Sequence, residues 1–323
     1  MILYYFTYFS FKSNHMSEYS IETENLSFHY SKDKKVLDSI SIKVPKGSIY
    51  GFLGPNGAGK STTMRLLTGI IPEQENAIKL FGQSLKEQLP LVFHRIGSLV
   101  ESPALYLHLS GLDNLRYIAK LRGISEEKIK ETLELVDLTK DGNRKAKQYS
   151  LGMKQRLAIA MALLSEPELL LLDEPVNGLD PNGIIEIRKL LIKLNKEKGI
   201  TIFVSSHLLS EIEKMCTHVA IINKGKLKFE GTIAELSKKA SFCKIQITLN
   251  DAQKWATEFE KTYKNVVLIS DNQITLEIGE KILIPDLITN LVQNNAILFE
   301  VKILDGLEEW FMTITDDKKN NEK

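Results

Sequence analysis

Regular patterning begins near residue 21. The segments IETENLSFHY and VLDSISIKV alternate apolar and polar positions with many β-branched residues, which predicts antiparallel strands half exposed at a sheet edge. GSIYGFL, the run ELLLLDEP at residues 168–175 and TIFVSSH lack that alternation and read as fully buried strands. A strand apolar on both faces is covered on both, as in a parallel sheet with helices packed above and below. Helical spacing fills the intervals. In GLDPNGIIEIRKLLIKLNKEKG, Ile184, Ile187, Leu191 and Leu194 form one apolar stripe, Asp180 stands at the N-cap, Pro181 at the first helical position and Gly199 at the end. SEEKIKETLELVDL has a serine cap, an acidic first turn and a stripe at Ile129, Leu133 and Val136. Residues 98–165 therefore read as mostly helical. They end in YSLGMKQRLAIAMALL, where Ser150 can cap a helix whose free N–H groups attract an anion.

After about residue 240 the pattern changes. KIQITLN, NVVLIS, QITLEI and ILFEVKIL alternate as strands, DAQKWATEFEKTY and PDLITNLVQNN read as helices, and Asp271-Asn272 makes a turn between two strands. This predicts a small α/β accessory domain over residues 240–315 with no chemical motif, followed by a charged tail, 316–323, expected to be disordered. At the other end ILYYFTYFSF is apolar but only ten residues long, too short for a membrane span and without the basic region of a secretory signal. Residues 1–15 are read as an extension with no structural role, and Met16 as the better start. No other apolar run reaches 18 residues, so a role at a membrane requires a partner chain.

Composition narrows the classes. Of 323 residues 42 are basic and 41 acidic, a net charge of +1, so the basic excess of a nucleic-acid binder is missing and no nucleic-acid partner is expected. Cys216 and Cys243 are too few for a disulfide scaffold and too far apart for a zinc knuckle, which suits a reducing cytosol.

The candidate chemistry lies where the buried strands end. GSIYGFL runs into GPNGAGKSTTMRLLTG, which fits G-x-x-x-x-G-K-[ST] with Gly54, Gly59, Lys60 and Ser61, a strand before it and a helix after. Glycines let the backbone wrap around phosphates with N–H groups inward, Lys60 reaches the terminal phosphates, and Ser61 offers its hydroxyl to Mg²⁺. Pro55, Asn56, Gly57, Ala58 and Thr62 complete the nucleotide-contacting loop. The strand LLLLD delivers two carboxylates, Asp173 to a metal and Glu174 as general base for an attacking water. His207, at the end of TIFVSSH, can donate to a γ-phosphate or be structural.

The ordered set of an aromatic near residue 30, GPNGAGKST, a loop around residue 101, YSLGMKQR, LLLLDEP, GLD and SSH resembles the nucleotide-binding subunit of ATP-binding-cassette (ABC) transporters across residues 21–237. The resemblance implies an α/β fold. Its P-loop NTPase cassette, residues 16–237, has a RecA-like core, an antiparallel β edge and a helical subdomain at about 98–165, with the small C-terminal domain after it. It implies ATP hydrolysis with ATP and Mg²⁺, a homodimer or paired cassette formed head to tail on ATP, and an integral membrane permease as partner. The chain would then be cytoplasmic, peripheral at the inner face of the cell membrane. Tyr30 takes the place of the adenine-stacking ring, with Phe28 and His29 as alternatives; Ser150 and Gly152 would cap the γ-phosphate held by the other subunit; Asp180 is a helix cap that can also lie across the subunit interface. Pro103 to Leu109 is the candidate contact for the permease.

Two departures from the family pattern coincide. The usual Leu-Ser-Gly-Gly-Gln is here Tyr149, Ser150, Leu151, Gly152 and Met153, and the glutamine that usually touches Mg²⁺ and water is Glu101. Together they resemble the subgroup exporting peptide antibiotics such as bacitracin and lantibiotics. A soluble cassette protein of translation or repair, which commonly carries two cassettes or a coiled-coil insertion, and a phosphate-loop kinase, which leaves SLGMKQ and SSH unexplained, are the rival readings.

Overall fold

The computed structural model describes residues 17–31, 34–101, 104–239, 243–304 and 306–315. The expected extension 1–15, Met16, Pro103 and the tail 316–323 lie outside them. The described residues fall into two compact units. The first reaches to His207 and takes in Ile222–Leu227; the second comprises Leu208–Ile221 and the chain from Lys228 onward.

In the first unit, β1 (Tyr19–Thr23) is followed by a hairpin of β2 (Leu26–Ser31) and β3 (Lys34–Ile40), then β4 (Lys43–Pro45) and the wholly buried β5 (Ile49–Leu53). Helix α1 (Lys60–Leu67) follows the phosphate loop, and β6 (Ile78–Leu80), β7 (Gln83–Ser84), the one-turn α2 (Leu85–Gln88) and β8 (Ile96–Leu99) come next. β4, β1, β6 and β7 form an antiparallel sheet in that order. The helices α3 (Gly111–Arg122), α4 (Glu126–Leu135) and α5 (Leu151–Leu163) start at Ser110, Ser125 and Ser150, each serine accepting a first-turn N–H; Ser125 and Ser150 are the caps expected from the pattern. α5 packs against β8, α3 and α4 and is buried along most of its circumference, so its apolar residues are nearly continuous.

β9 (Leu169–Asp173), α6 (Pro181–Lys198) and β10 (Thr201–Ser206) complete the core of this unit. Its parallel strands run β8-β9-β10-β5. Leu169 to Leu172 have no exposed surface, and each such side chain contributes about 1.5–3 kcal/mol of burial. β10 lies between β9 and β5, so LLLLD is not the neighbour of the phosphate-loop strand; α1, which packs on β9, brings the two close. Asp180 caps α6 through Gly183 N at 3.0 Å, Pro181 holds its first turn, and Gly199 ends it in the left-handed region. The patterning does not announce β6, β7 or β8; β8, which overlaps the start of the stretch expected to be helical, is a largely buried member of the parallel sheet.

The second unit opens with α7 (Leu209–Met215). The strands β11 (His218–Asn223) and β12 (Lys226–Thr232) are divided between the units, and α8 (Ile233–Lys239) belongs to the second. Next come β13 (Cys243–Leu249), α9 (Ala252–Phe259), β14 (Lys264–Ser270), β15 (Gln273–Ile278), α10 (Ile284–Gln293), β16 (Leu298–Leu304) and α11 (Leu307–Thr315). The four strands from β13 form an antiparallel sheet in the order β14-β15-β13-β16, the split β-α-β arrangement. Its core is the inward face of β13 and β15 with Trp255, Phe259, Leu287 and Leu291. α11, absent from the pattern reading, packs on α7 and α8 through its buried Leu307 and Trp310. No helix among the described residues is long and apolar enough to cross a membrane.

Candidate functional site

A cavity of about 810 Å³ opens above the C-terminal ends of β5, β9 and β10. It is lined by Tyr30, the loop from Pro55 to Thr62, Glu174 and His207, with the lysines Lys34, Lys35 and Lys224 adding positive charge. Sterics shape the loop. A Cβ on Gly54 would lie 2.6 Å from the Ile222 carbonyl oxygen, and Gly59 sits at φ +114° with Leu37 closing over it, so both positions require glycine. Ala58 is buried behind the loop, its N–H donating to Pro55 O at 3.1 Å. α1 starts at Gly59 without a side-chain cap, which leaves its positive end to a ligand in the cavity.

Three of the sequence candidates meet at one point. Lys60, nearly buried, donates to Gly54 O at 2.8 Å, and its Nζ is 3.5 Å from Glu174 Oε1. Glu174 Oε2 is 2.8 Å from His207 Nδ1 and accepts from His207 N at 3.3 Å. The Glu174 backbone is in the left-handed region at φ +49°, fixed by bonds from its N–H to Ser205 O and Oγ at 3.2 and 3.0 Å. Ser205 Oγ also donates to the buried Asp173 carboxylate, so one serine orders both acidic residues. Its role had no sequence signal beyond its place in the strand beside LLLLD. Asn177 lines the cavity and also went unremarked.

Phe28, His29 and Tyr30 were open alternatives for the adenine platform. Phe28 is buried, while Tyr30 is 54% exposed, lines the cavity and stands edge-on to the Phe28 ring with centroids 4.9 Å apart.

Ser150, Gly152 and Asp180 are not in this cavity; they gather elsewhere in the unit. Ser150 Oγ accepts from Met153 N at 3.2 Å at the exposed start of α5. A Cβ on Gly178 would meet the Leu151 side chain at 3.3 Å, and Gly152 faces Gly183 in the first turn that Asp180 caps. The beginnings of α5 and α6 thus lie side by side. Together they present a capped helix end and an exposed carboxylate, with Leu151 47% exposed between them.

A profile for ABC transporters matches residues 37–177. The chain is 48% identical to the bacitracin transport ATP-binding protein BcrA of Enterococcus faecalis over 69% of its own length and 72% of that protein. The chain belongs to the ABC transporter family. It is 42% identical to the lantibiotic transport ATP-binding protein SrtF of Streptococcus pyogenes over 65% of its length and 90% of that protein. The structure of cbiO1 from Clostridium perfringens, part of the ABC transporter complex cbiONQ, superimposes with a TM-score of 0.62 over 70% of this chain and 95% of that one, at 28% identity. As an ABC transporter ATP-binding subunit the protein is an ATPase, and a cavity that sets lysines, loop amides and a carboxylate beside Lys60 suits that activity.

The oxygen donors suit a magnesium ion that keeps several waters: a half-buried hydroxyl, Ser61, at the start of α1, and the Asp173 carboxylate on the strand against which α1 packs. The resemblance implies that Glu101 joins them; its carboxylate forms an ion pair with Arg65, the Arg65 Nε bond measuring 3.1 Å. That guanidinium holds its proton more firmly than usual, first because of Glu101 and then because of Tyr30. The partnership had a signal that went unread: Arg65 is four residues past Ser61 and therefore on the same face of α1.

Ala104 and Leu105 line a second, apolar groove of about 300 Å³ with Ile70, Leu99, Val100 and Ile118. They are described members of the segment expected to meet a permease.

Proposed function

We propose that this ABC ATPase powers export of a peptide antibiotic through a separate integral membrane permease, and that it works as a head-to-tail pair of cassettes at the inner face of the cell membrane. What carries the export reading is 48% identity to a bacitracin and 42% to a lantibiotic transport ATP-binding protein, shared by a chain with the Glu101 and SLGMKQ departures. The site reading rests on the separation of two clusters. The cavity holds phosphate loop, base and histidine, whereas Ser150, Gly152 and Asp180 stand apart, as they would if they served the ATP of a second copy.

In this scheme residues 16–237 form the ATPase domain and 240–315 an accessory domain. ATP stacks its adenine on Tyr30, and its phosphates lie on the N–H groups of the 54–62 loop and the α1 terminus, with Lys60 on the terminal phosphates. Ser61 and Asp173 would hold Mg²⁺, which supplies charge neutralisation at the β- and γ-phosphates. Glu174 accepts the proton of the attacking water. His207, in contact with the same carboxylate, orients it and donates to the γ-phosphate, and Ser150 at the partner's helix end completes the cap. The groove at Ala104 and Leu105 receives an apolar segment of the permease.

The test is tolerance. Expressed with its permease in a susceptible bacterium, the wild-type chain should raise the tolerated bacitracin or lantibiotic concentration severalfold, and the Glu174→Gln chain should not. Equal tolerance with both, alongside intact ATPase activity of the wild type, would contradict export.

A further inference from the structure

Arg65 carries a charge that the nucleotide motifs leave unassigned. Its guanidinium holds two partners at once: Nη1 donates to the Tyr30 hydroxyl at 3.2 Å, while Nε and Nη2 both donate to Glu101 Oε1, Nε at 3.1 Å. Tyr30 belongs to the cavity wall. Glu101 follows β8 with its backbone at φ +71°, a conformation that costs a non-glycine residue free energy and persists only when its surroundings hold it. Just beyond it the chain reaches Ala104 and Leu105 in the apolar groove. One planar side chain on α1 therefore bridges the wall of the nucleotide cavity and the start of the groove segment.

The chemistry explains the glutamate. A glutamine at position 101 would offer the guanidinium one neutral acceptor, whereas a carboxylate makes charge-assisted bonds roughly twice as strong. Only arginine can fork to the phenol and the carboxylate together; lysine reaches one. The Tyr30 hydroxyl is held below its ordinary range, first by the Thr62 hydroxyl and then, against the effect of burial, by Arg65, so the phenol is part of the same network.

We propose that Arg65 is a positioning residue that fastens Tyr30 to Glu101, so that a nucleotide seated on Tyr30 also fixes the segment leading into the groove. The inference rests on the reading that Tyr30 stacks the adenine. Arg65 and Glu101 are a matched pair in it, and the charge of Glu101 serves the link to α1.

Hydrogen exchange on the whole chain, with and without saturating ATP in the absence of Mg²⁺, tests this. In the wild type, ATP should slow exchange by about threefold or more both in the 54–62 loop and at the amides of Val100 and Glu101. Arg65→Met, Arg65→Lys and Glu101→Gln should keep the slowing at 54–62 and lose it at 100–101, and the Arg65→Met/Glu101→Gln double variant should be no worse than either single one. An exposed pair of this kind contributes little to overall stability, and Arg65→Lys keeps the charge, so loss of folding is not expected to intervene. Slowing at 100–101 that survives Arg65→Lys and Glu101→Gln would overturn the proposal, as would protection at 54–62 alone in the wild type. Absence of any protection at 54–62 would instead overturn the nucleotide site itself.

Discussion

Two helices of the first unit begin at a candidate phosphate contact, and they begin differently. α1 starts at a left-handed glycine with no side-chain cap, its terminus open to a cavity lined with lysines. α5 starts at Ser150, whose own hydroxyl accepts the Met153 N–H, at an exposed edge beside Asp180. First-turn N–H groups need partners. At α5 the serine supplies one, so that end is stable without a ligand and can serve as a docking surface. At α1 no side chain among the described residues does so, and in the proposed scheme the phosphates of ATP complete the turn. In that scheme one end is a binding site by itself, and the other is half of a site.

The largest effect that would break this comparison lies at the base. Glu174→Gln removes the proton acceptor while keeping the volume, so phosphate release should fall by about a hundredfold or more with ATP still bound and a stable dimer visible on size exclusion. Turnover at the wild-type rate would remove Glu174 from its role. Next, Ser150→Arg places bulk and charge at the α5 edge. ATP should bind the monomer with unchanged affinity because the α1 cavity is intact, while ATP-induced dimerisation and hydrolysis disappear; loss of monomer binding would put Ser150 in the same pocket as Lys60.

A control in the second unit sharpens the contrast. Leu276 is wholly buried in the β13–β15 core, and Leu276→Ala should cost about 2–5 kcal/mol on denaturant unfolding. ATP affinity at low denaturant should not change, and a parallel loss of affinity would mean that the nucleotide cavity depends on this core. The smallest effect concerns Glu101. With its carboxylate on Arg65, Glu101→Gln should shift the Mg²⁺ concentration for half-maximal hydrolysis by less than about fivefold, since an exposed ion pair carries at most about 1 kcal/mol. A tenfold shift in a Mg²⁺ titration would return Glu101 to the metal.

The sequence made legible what local chemistry dictates. The glycine loop, the serine and aspartate caps, Gly199 and the runs of buried leucine each follow from a neighbour within a few residues, and each has its expected form. What long-range packing decides was not legible. IGSL is too short to show whether it is loop or strand, and β8 is defined by pairing with β9, whose residues lie more than seventy positions away. β10 separates β9 from β5, an order no local pattern states. α11 has Leu307 and Trp310 buried where it packs on α7 and α8, from a distant part of the chain. At the site, Glu101 is paired with Arg65, 36 positions earlier in the sequence, a partnership that the family pattern does not state.

The claim that α5 serves the nucleotide of a second copy has a direct test in mixed chains. Lys60→Ala and Ser150→Arg should each be inactive alone. Mixed in equal amounts with ATP, they should regain hydrolysis, because a heterodimer pairs the intact Lys60 of one chain with the intact Ser150 of the other. One of the two sites in a heterodimer is intact, so the rate is about a quarter of wild type with random pairing and approaches about half if only heterodimers form. Recovery near that level is the predicted result; a mixture as inactive as its components would contradict the composite site.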